Sequence, residues 1–111
     1  AQTFINTNYP DEKVAFATVD DDFIRPDYHV ALVSGVMLQF EHGGSLEKIE
    51  TRNGNIPAGI IPFQIIDMVK QYYPEAQITE YEIGKRSYEV KLSNGMELTF
   101  NSKFALIGID D

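Results

Sequence analysis

The feature that most constrains the fold of this chain is a β-hairpin pattern that occurs twice, sixty residues apart. Residues 28–40 and 88–100 share Tyr, Val, Leu, Gly, Leu and Phe at equivalent positions. The match continues into a following segment, where Leu46 corresponds to Leu106 and Ile49 to Ile109. The sequence therefore predicts a chain made of two successive copies of one unit.

Each hairpin is predicted to turn through a three-residue loop that ends in glycine. Gly35 and Gly95 suit the left-handed position of such a loop, and this position sets the register of the strands. In that register one face of each hairpin is wholly apolar. The predicted apolar pairs are Tyr28 with Phe40, Val30 with Leu38, Leu32 with Val36, Tyr88 with Phe100, Val90 with Leu98 and Leu92 with Met96.

The opposite face differs between the copies. The second copy places Lys91 across from Glu97, and Glu89 across from Thr99, as expected for a face open to water. The outer face of the first copy has fewer charged residues and more apolar residues. Its predicted pairs are Ala31 with Met37 and His29 with Gln39.

The remaining elements complete each repeat as a helix followed by four antiparallel strands. Helical spacing of Ile61, Ile65, Met68 or Val69, and Tyr72 predicts a core-facing stripe, with Pro62 at the first helical position. We expect residues 1–8 to be the last turns of a helix whose start is missing. Other predicted strands are Val14 to Val19, Leu46 to Glu50, Ile78 to Ile83 and Ala105 to Asp110.

The length favours one domain, 1–111, that contains both repeats, 1–51 and 56–111. Units of about 60 residues bury too little surface to be comfortably stable alone, so the repeats are expected to share a core or a sheet.

No apolar run approaches the roughly 20 residues that span a bilayer. With 17 acidic and 9 basic residues the net charge is −8, which disfavours nucleic acid as a partner. The absence of cysteine excludes disulfides.

The helix ending in Tyr73-Pro74, the repeated hairpin pattern and the closing Ile109-Asp110 together resemble the PepSY-like family of periplasmic proteins. That family is similar in fold to the β-lactamase inhibitor protein. The resemblance implies an α+β fold, a tandem repeat of a helix plus a four-stranded antiparallel sheet with the helices packed on one sheet face. It also implies a periplasmic or secreted protein, with a signal peptide upstream of Ala1, that is not an enzyme. Its expected partner is a protein or peptide of the cell envelope, and inhibition of a peptidase is one form that binding could take.

The sequence contains no motif that identifies a catalytic, cofactor-binding or metal-binding residue. The run Asp20-Asp21-Asp22 with Asp27 lacks the distal glutamate of a calcium loop and fits a solvated turn better. His29 and His42 have no cysteine with which to build a usual structural zinc site. The serines lie in turns without a nucleophile motif.

The outer face of the first hairpin is the predicted partner-binding patch. It consists of His29, Ala31, Val33, Met37 and Gln39. Binding of a protein or peptide through this open sheet face is the leading interpretation. The alternative is a carrier of a small ligand or metal that uses a cleft between the repeats. A purely architectural module of a larger assembly is a third interpretation.

Overall fold

The structure is a computed structural model that describes residues 14–19, 28–32, 35–41, 43–52, 56 and 59–111. In that part the chain is α+β, with antiparallel strands and one helix, α1. Contacts divide the chain into two compact units, Ala1–Glu50 and Thr51–Asp111. The elements are β1 (Val14–Val19), β2 (Tyr28–Leu32), β3 (Met37–Phe40), β4 (Leu46–Glu50), α1 (Phe63–Tyr72), β5 (Ile78–Ile83), β6 (Ser87–Leu92), β7 (Glu97–Asn101) and β8 (Leu106–Asp110).

Within each unit the strands follow one another in the sheet in chain order. The first unit has the order β1-β2-β3-β4 and the second β5-β6-β7-β8, and the pairs within each unit are antiparallel. The bounds of β1, β4 and β5 are those predicted, whereas the last strand begins at Leu106 instead of Ala105. The second hairpin extends one residue beyond the predicted range at each end, to Ser87 and Asn101. The helix expected within residues 1–8 lies outside the described residues.

Both hairpins turn as the sequence predicts. The backbone N–H before each loop donates to the carbonyl after it, at 2.8 Å from Leu32 to Val36 and at 2.9 Å from Leu92 to Met96. Both loop glycines have positive φ, 97° in the first copy and 90° in the second. The predicted registers are confirmed on both faces. They include Tyr28 with Phe40, Ala31 with Met37, Tyr88 with Phe100 and Lys91 with Glu97.

The apolar hairpin faces form the core. Phe40 and Phe100 are fully buried at 0% exposure, whereas their strand partners Tyr28 and Tyr88 are only partly buried. Other buried apolar side chains on these strands are Val30, Leu32, Leu38, Val90, Leu92 and Leu98, and Ile49 on β4 is buried beside Leu38. Burial of each such side chain contributes roughly 1.5–3 kcal/mol to stability.

Helix α1 buries Ile65 and Val69, two members of the predicted stripe. The prediction was wrong for Tyr72, which is 64% exposed because it lies in the last turn, where the chain is already leaving the helix through Tyr73. It was also wrong by one position for Pro62, which is the N-cap, with extended ψ of 139°. Ten residues are far too few to cross a bilayer, and no described helix is long and apolar enough to do so.

An aromatic cluster closes one end of the core of the second unit. The Tyr81 and Tyr88 rings stack with centroids 6.2 Å apart, and Phe104 lies 5.1 Å from Tyr88. Tyr81 is 2% exposed, and this burial, assisted by Tyr88, raises the pKa of Tyr81 to about 12. The phenol therefore stays neutral in the fold at pH values where an exposed tyrosine ionises.

Truncation of Phe100 to Ala tests the core that the hairpin register creates. Because Phe100 is fully buried, we expect Phe100→Ala to lower the free energy of unfolding by about 3–5 kcal/mol. The matched control is Phe63→Ala on α1, where the ring is 69% exposed, and we expect a change within about 0.5 kcal/mol. Urea unfolding followed by circular dichroism measures both. Equal losses for the two variants would contradict the assignment of Phe100 to the core.

Tyr81 should also make stability fall in alkali. Because the pKa of the Tyr81 phenol is higher in the folded protein than in the unfolded chain, the unfolded chain releases the phenol proton at a lower pH. The contribution of neutral Tyr81 to the free energy of unfolding is therefore fully present below pH ~10 and is lost as the pH rises towards ~12. Between pH ~9 and ~11 we expect wild type to lose about 1 kcal/mol more stability than Tyr81→Phe. The comparison cancels other titrating groups. An equal loss in both proteins would show that Tyr81 ionises normally.

Candidate functional site

The outer face of the first unit carries two rows of side chains that run across three strands. One row is His29, Gln39 and Lys48, which are paired in register across β2, β3 and β4. The other row is Ala31, Met37 and Glu50. The hairpin loop puts β2 and β3 in this register, and β4 extends both rows. Four of the five residues of the predicted patch therefore lie together, and the fifth, Val33, lies outside the described residues.

A groove of about 260 Å³ opens between these rows. We call it the Met37 groove and define it by His29, Met37, Gln39, Lys48 and Glu50, with Val30 and Leu38 also lining it. Met37 is 48% exposed, so a large, flexible apolar side chain stands at the surface. The volume of the groove matches a single bulky side chain of a partner better than a cofactor-sized ligand.

The expectation that Ala31 is exposed together with Met37 was wrong. Ala31 is only 6% exposed. Its methyl group is short and lies on β2, which has neighbouring strands on both sides, so longer side chains around it reach further from the sheet. Ala31 therefore offers almost no surface to a partner, and it does not line the groove.

The groove has a polar rim that comes largely from β4. The side-chain amide of Gln39 donates to a carboxylate oxygen of Glu47 at 2.8 Å. Lys48 and Glu50 form an ion pair at 3.3 Å. Both interactions hold the rim side chains in defined positions around Met37, although surface ion pairs contribute little stability of their own.

Sequence reasoning missed the part played by β4. The available signal was the register itself, because a strand paired with β3 must place a residue beside Gln39 and another beside Met37. Lys48 and Glu50 occupy these positions. A bulge between Gln39 and Phe40 shifts the pairing, and counting along the sequence alone does not reveal where such a shift falls.

The equivalent face of the second unit is charged. Lys91 lies 3.5 Å from Glu80 and 3.4 Å from Glu97. The negative charge of Glu80, followed by a hydrogen bond to Glu97, raises the pKa of Lys91 above its usual value. Glu97 occupies the position that Met37 has in the first unit, sixty residues earlier. This face is internally paired, so an apolar contact surface exists at the equivalent position of the first unit only.

The Met37 groove combines an apolar side chain with polar side chains that are hydrogen-bonded or ion-paired. Its apolar centre with a hydrogen-bonded rim is the arrangement of a small contact patch between proteins. In the described part of the chain, no group of three or more His, Cys, Asp or Glu side chains is placed to hold a metal ion. The acidic run Asp20–Asp22, Asp27 and His42 lie outside the described residues.

Comparison with known protein families gives one match that spans most of the chain. The sequence profile of the family described as "Putative beta-lactamase-inhibitor-like, PepSY-like" matches residues 26–108. That range includes both hairpins and α1. No curated protein matches the chain.

Three solved structures from Bacteroides species are similar to this chain. A "putative calcium-regulated periplasmic protein" from Bacteroides thetaiotaomicron is 40% identical, with a TM-score of 0.93 over 100% of this chain and 87% of that one. A "putative periplasmic protein" from Bacteroides vulgatus is 37% identical, with a TM-score of 0.91 over 99% of this chain and 87% of that one. A second protein of that species, of unknown function, is 27% identical, with a TM-score of 0.92 over 100% and 89% of the two chains.

Proposed function

This chain belongs to the PepSY-like, β-lactamase-inhibitor-like family, and from that premise we propose that it is a noncatalytic binding protein of the periplasm or the secreted fraction. Its partner is a protein or peptide of the cell envelope, which it binds through the Met37 groove. Inhibition of a peptidase or another enzyme is one consequence that such binding can have. The exposure of Met37 inside a hydrogen-bonded rim carries the proposal.

The proposed location rests on the relatives. The three similar structures are described as periplasmic proteins, and two of them are more than a third identical to this chain. A signal peptide upstream of Ala1 is the corresponding expectation for the precursor.

The choice of the groove rests on the contrast between the two outer faces. In the second unit Lys91 and its two glutamates satisfy one another. In the first unit the two equivalent hairpin strands present Met37, and burial of its exposed half against a partner would contribute roughly 0.7–1.5 kcal/mol. Methionine also adapts to partner side chains of different shape because its chain is unbranched and flexible.

We also propose that the two units arose as a tandem repeat of a helix and four strands. Support comes from irregularities that recur at equivalent places. The register shifts between Gln39 and Phe40 in one unit and between Thr99 and Phe100 in the other. The following turn has a residue at positive φ in both, Gly44 at 92° and Phe104 at 63°.

Phe104 provides a test of the repeat. A phenylalanine in left-handed backbone is strained by about 1–2 kcal/mol, and the equivalent glycine avoids that strain. Replacement by either Gly or Ala removes the contact with Tyr88, but Ala keeps the strain. We therefore expect Phe104→Gly to be about 1 kcal/mol more stable than Phe104→Ala in urea unfolding. If Phe104→Ala proves equally stable or more stable, the two turns are not equivalent.

The alternative function is that of a small-ligand or metal carrier. The description of one relative as calcium-regulated favours including calcium in any binding test, and that property is stated of that relative. The binding experiment below is therefore run both with calcium and with a chelator. Partner capture that requires calcium but ignores substitutions in the groove would favour the alternative.

The binding test uses Met37→Glu, because glutamate already occupies the equivalent position 97 and should be compatible with the fold. Tagged wild type and variant are incubated with a periplasmic extract of a Bacteroides species, and captured proteins are quantified by mass spectrometry. Loss of the apolar contact that Met37 makes with the partner, together with burial of a charge in its place, should lower recovery of the specific partner by about tenfold or more.

The matched control is Thr99→Glu, which adds the same charge to the outer face of the second unit at the position equivalent to Gln39. We expect it to capture the partner as wild type does. Equal loss with both variants would indicate a general charge effect, and unchanged recovery with Met37→Glu would remove the groove as the binding site.

A further inference from the structure

Met37 differs from the other methionines of the chain in how far it is exposed. The sequence has three methionines, Met37, Met68 and Met96. Met68 on α1 and Met96 after the second hairpin loop are partly buried, whereas Met37 is 48% exposed on the outer face of β3. The sulfur of methionine lies near the end of the side chain, so the thioether of Met37 is the one most open to solutes in the solvent.

Oxidation converts an apolar thioether into a polar group. Hydrogen peroxide transfers one oxygen atom to the sulfur: the O–O bond breaks, an S–O bond forms, the sulfur loses two electrons and the second peroxide oxygen leaves as water. The product, methionine sulfoxide, has a strongly polar S=O group. Methionine sulfoxide reductases reverse the step, with two thiols supplying the electrons and becoming a disulfide.

We propose that Met37 is a reversible oxidation site that controls binding in the Met37 groove, an inference that rests on the function proposed above. In the reduced protein the apolar lining of the groove is Met37 with Val30 and Leu38. A sulfoxide at Met37 is hydrated, and an apolar side chain of a partner that enters the groove must displace that water. Oxidation therefore releases the partner, and reduction allows it to bind again.

The lining of the groove also suits the oxidised side chain. His29 and Lys48 carry N–H donors and line the groove together with Met37. A sulfoxide oxygen accepts hydrogen bonds from donors of this kind. The equivalent position of the second unit provides a precedent, because the carboxylate of Glu97 there pairs with Lys91 on the neighbouring strand at 3.4 Å. We therefore expect oxidation to make the groove polar without unfolding the sheet.

Peptide mapping by mass spectrometry tests the oxidation site without any partner. The purified chain is treated with hydrogen peroxide, and sulfoxide is measured over time at each of the three methionines. In the folded chain Met37 should be oxidised about threefold faster or more than Met68 and Met96, because the rate follows the access of peroxide to the sulfur. In guanidinium-unfolded protein the three rates should become similar. Equal or faster oxidation of Met68 or Met96 in the folded chain would overturn the proposal.

Capture from periplasmic extract tests the control of binding. Tagged wild type is treated with peroxide, freed of it and then incubated with the extract. Recovery of the specific partner should fall about fivefold or more, and methionine sulfoxide reductase with dithiothreitol should restore it. Circular dichroism confirms that the oxidised chain is folded. Unchanged recovery with fully oxidised Met37, or a loss that the reductase does not reverse, would contradict the proposal.

Two matched variants assign the effect to one sulfur. Met37→Leu keeps an apolar side chain of similar volume but has no sulfur there, so peroxide should leave its recovery unchanged. In the double variant Met68→Leu, Met96→Leu the only sulfur is that of Met37, because the chain has no cysteine, and peroxide should lower its recovery as in wild type. The reverse pattern would overturn the proposal.

The function proposed above fails separately. If untreated Met37→Glu captures the partner as wild type does, the groove is not the binding site, and control of binding by oxidation falls with it. If Met37→Glu loses the partner and oxidised wild type does not, only the oxidation proposal fails.

Discussion

The left-handed glycine in each hairpin loop decides which side chains share a face of the sheet. A shift of one residue would exchange the apolar and polar faces of the strands. With Gly35 and Gly95 at φ near 97° and 90°, the loop closes through a backbone hydrogen bond on either side, and Phe40 and Phe100 turn into the core. The positions of the outer-face residues on β2 and β3, including Met37, follow from the first of these loops.

Because the two hairpins have the same register, residues at equivalent positions of their outer faces can be compared directly. Where the second unit pairs Lys91 with Glu97, the first pairs Ala31 with Met37. The charged pair satisfies itself in water and needs no partner. Met37 has no charged partner of this kind on β2, and its apolar side chain is 48% exposed. The two units thus share one backbone plan, but only the first has an outer face suited to apolar contact.

Local patterns predicted the strands and hairpin pairs because those depend on alternation and on loop chemistry, both of which are properties of neighbouring residues. Burial was harder to predict. Ala31 was expected at the surface and is buried, because its methyl group is shorter than the side chains of the residues paired with it on the two neighbouring strands. Tyr72 continued the helical stripe in sequence but lies where the helix ends. The contribution of Lys48 and Glu50 to the groove depends on a bulge whose place is not visible in the sequence.

Ile49 and Ile109 show most clearly where sequence reasoning ends. They are the same residue at equivalent positions, and each pairs with an equivalent leucine in register. One is completely buried and the other is half exposed. No local pattern can distinguish them, because their burial depends on what lies beyond the strand and not on the strand itself. The same position in two similar units is therefore core in one and half exposed in the other.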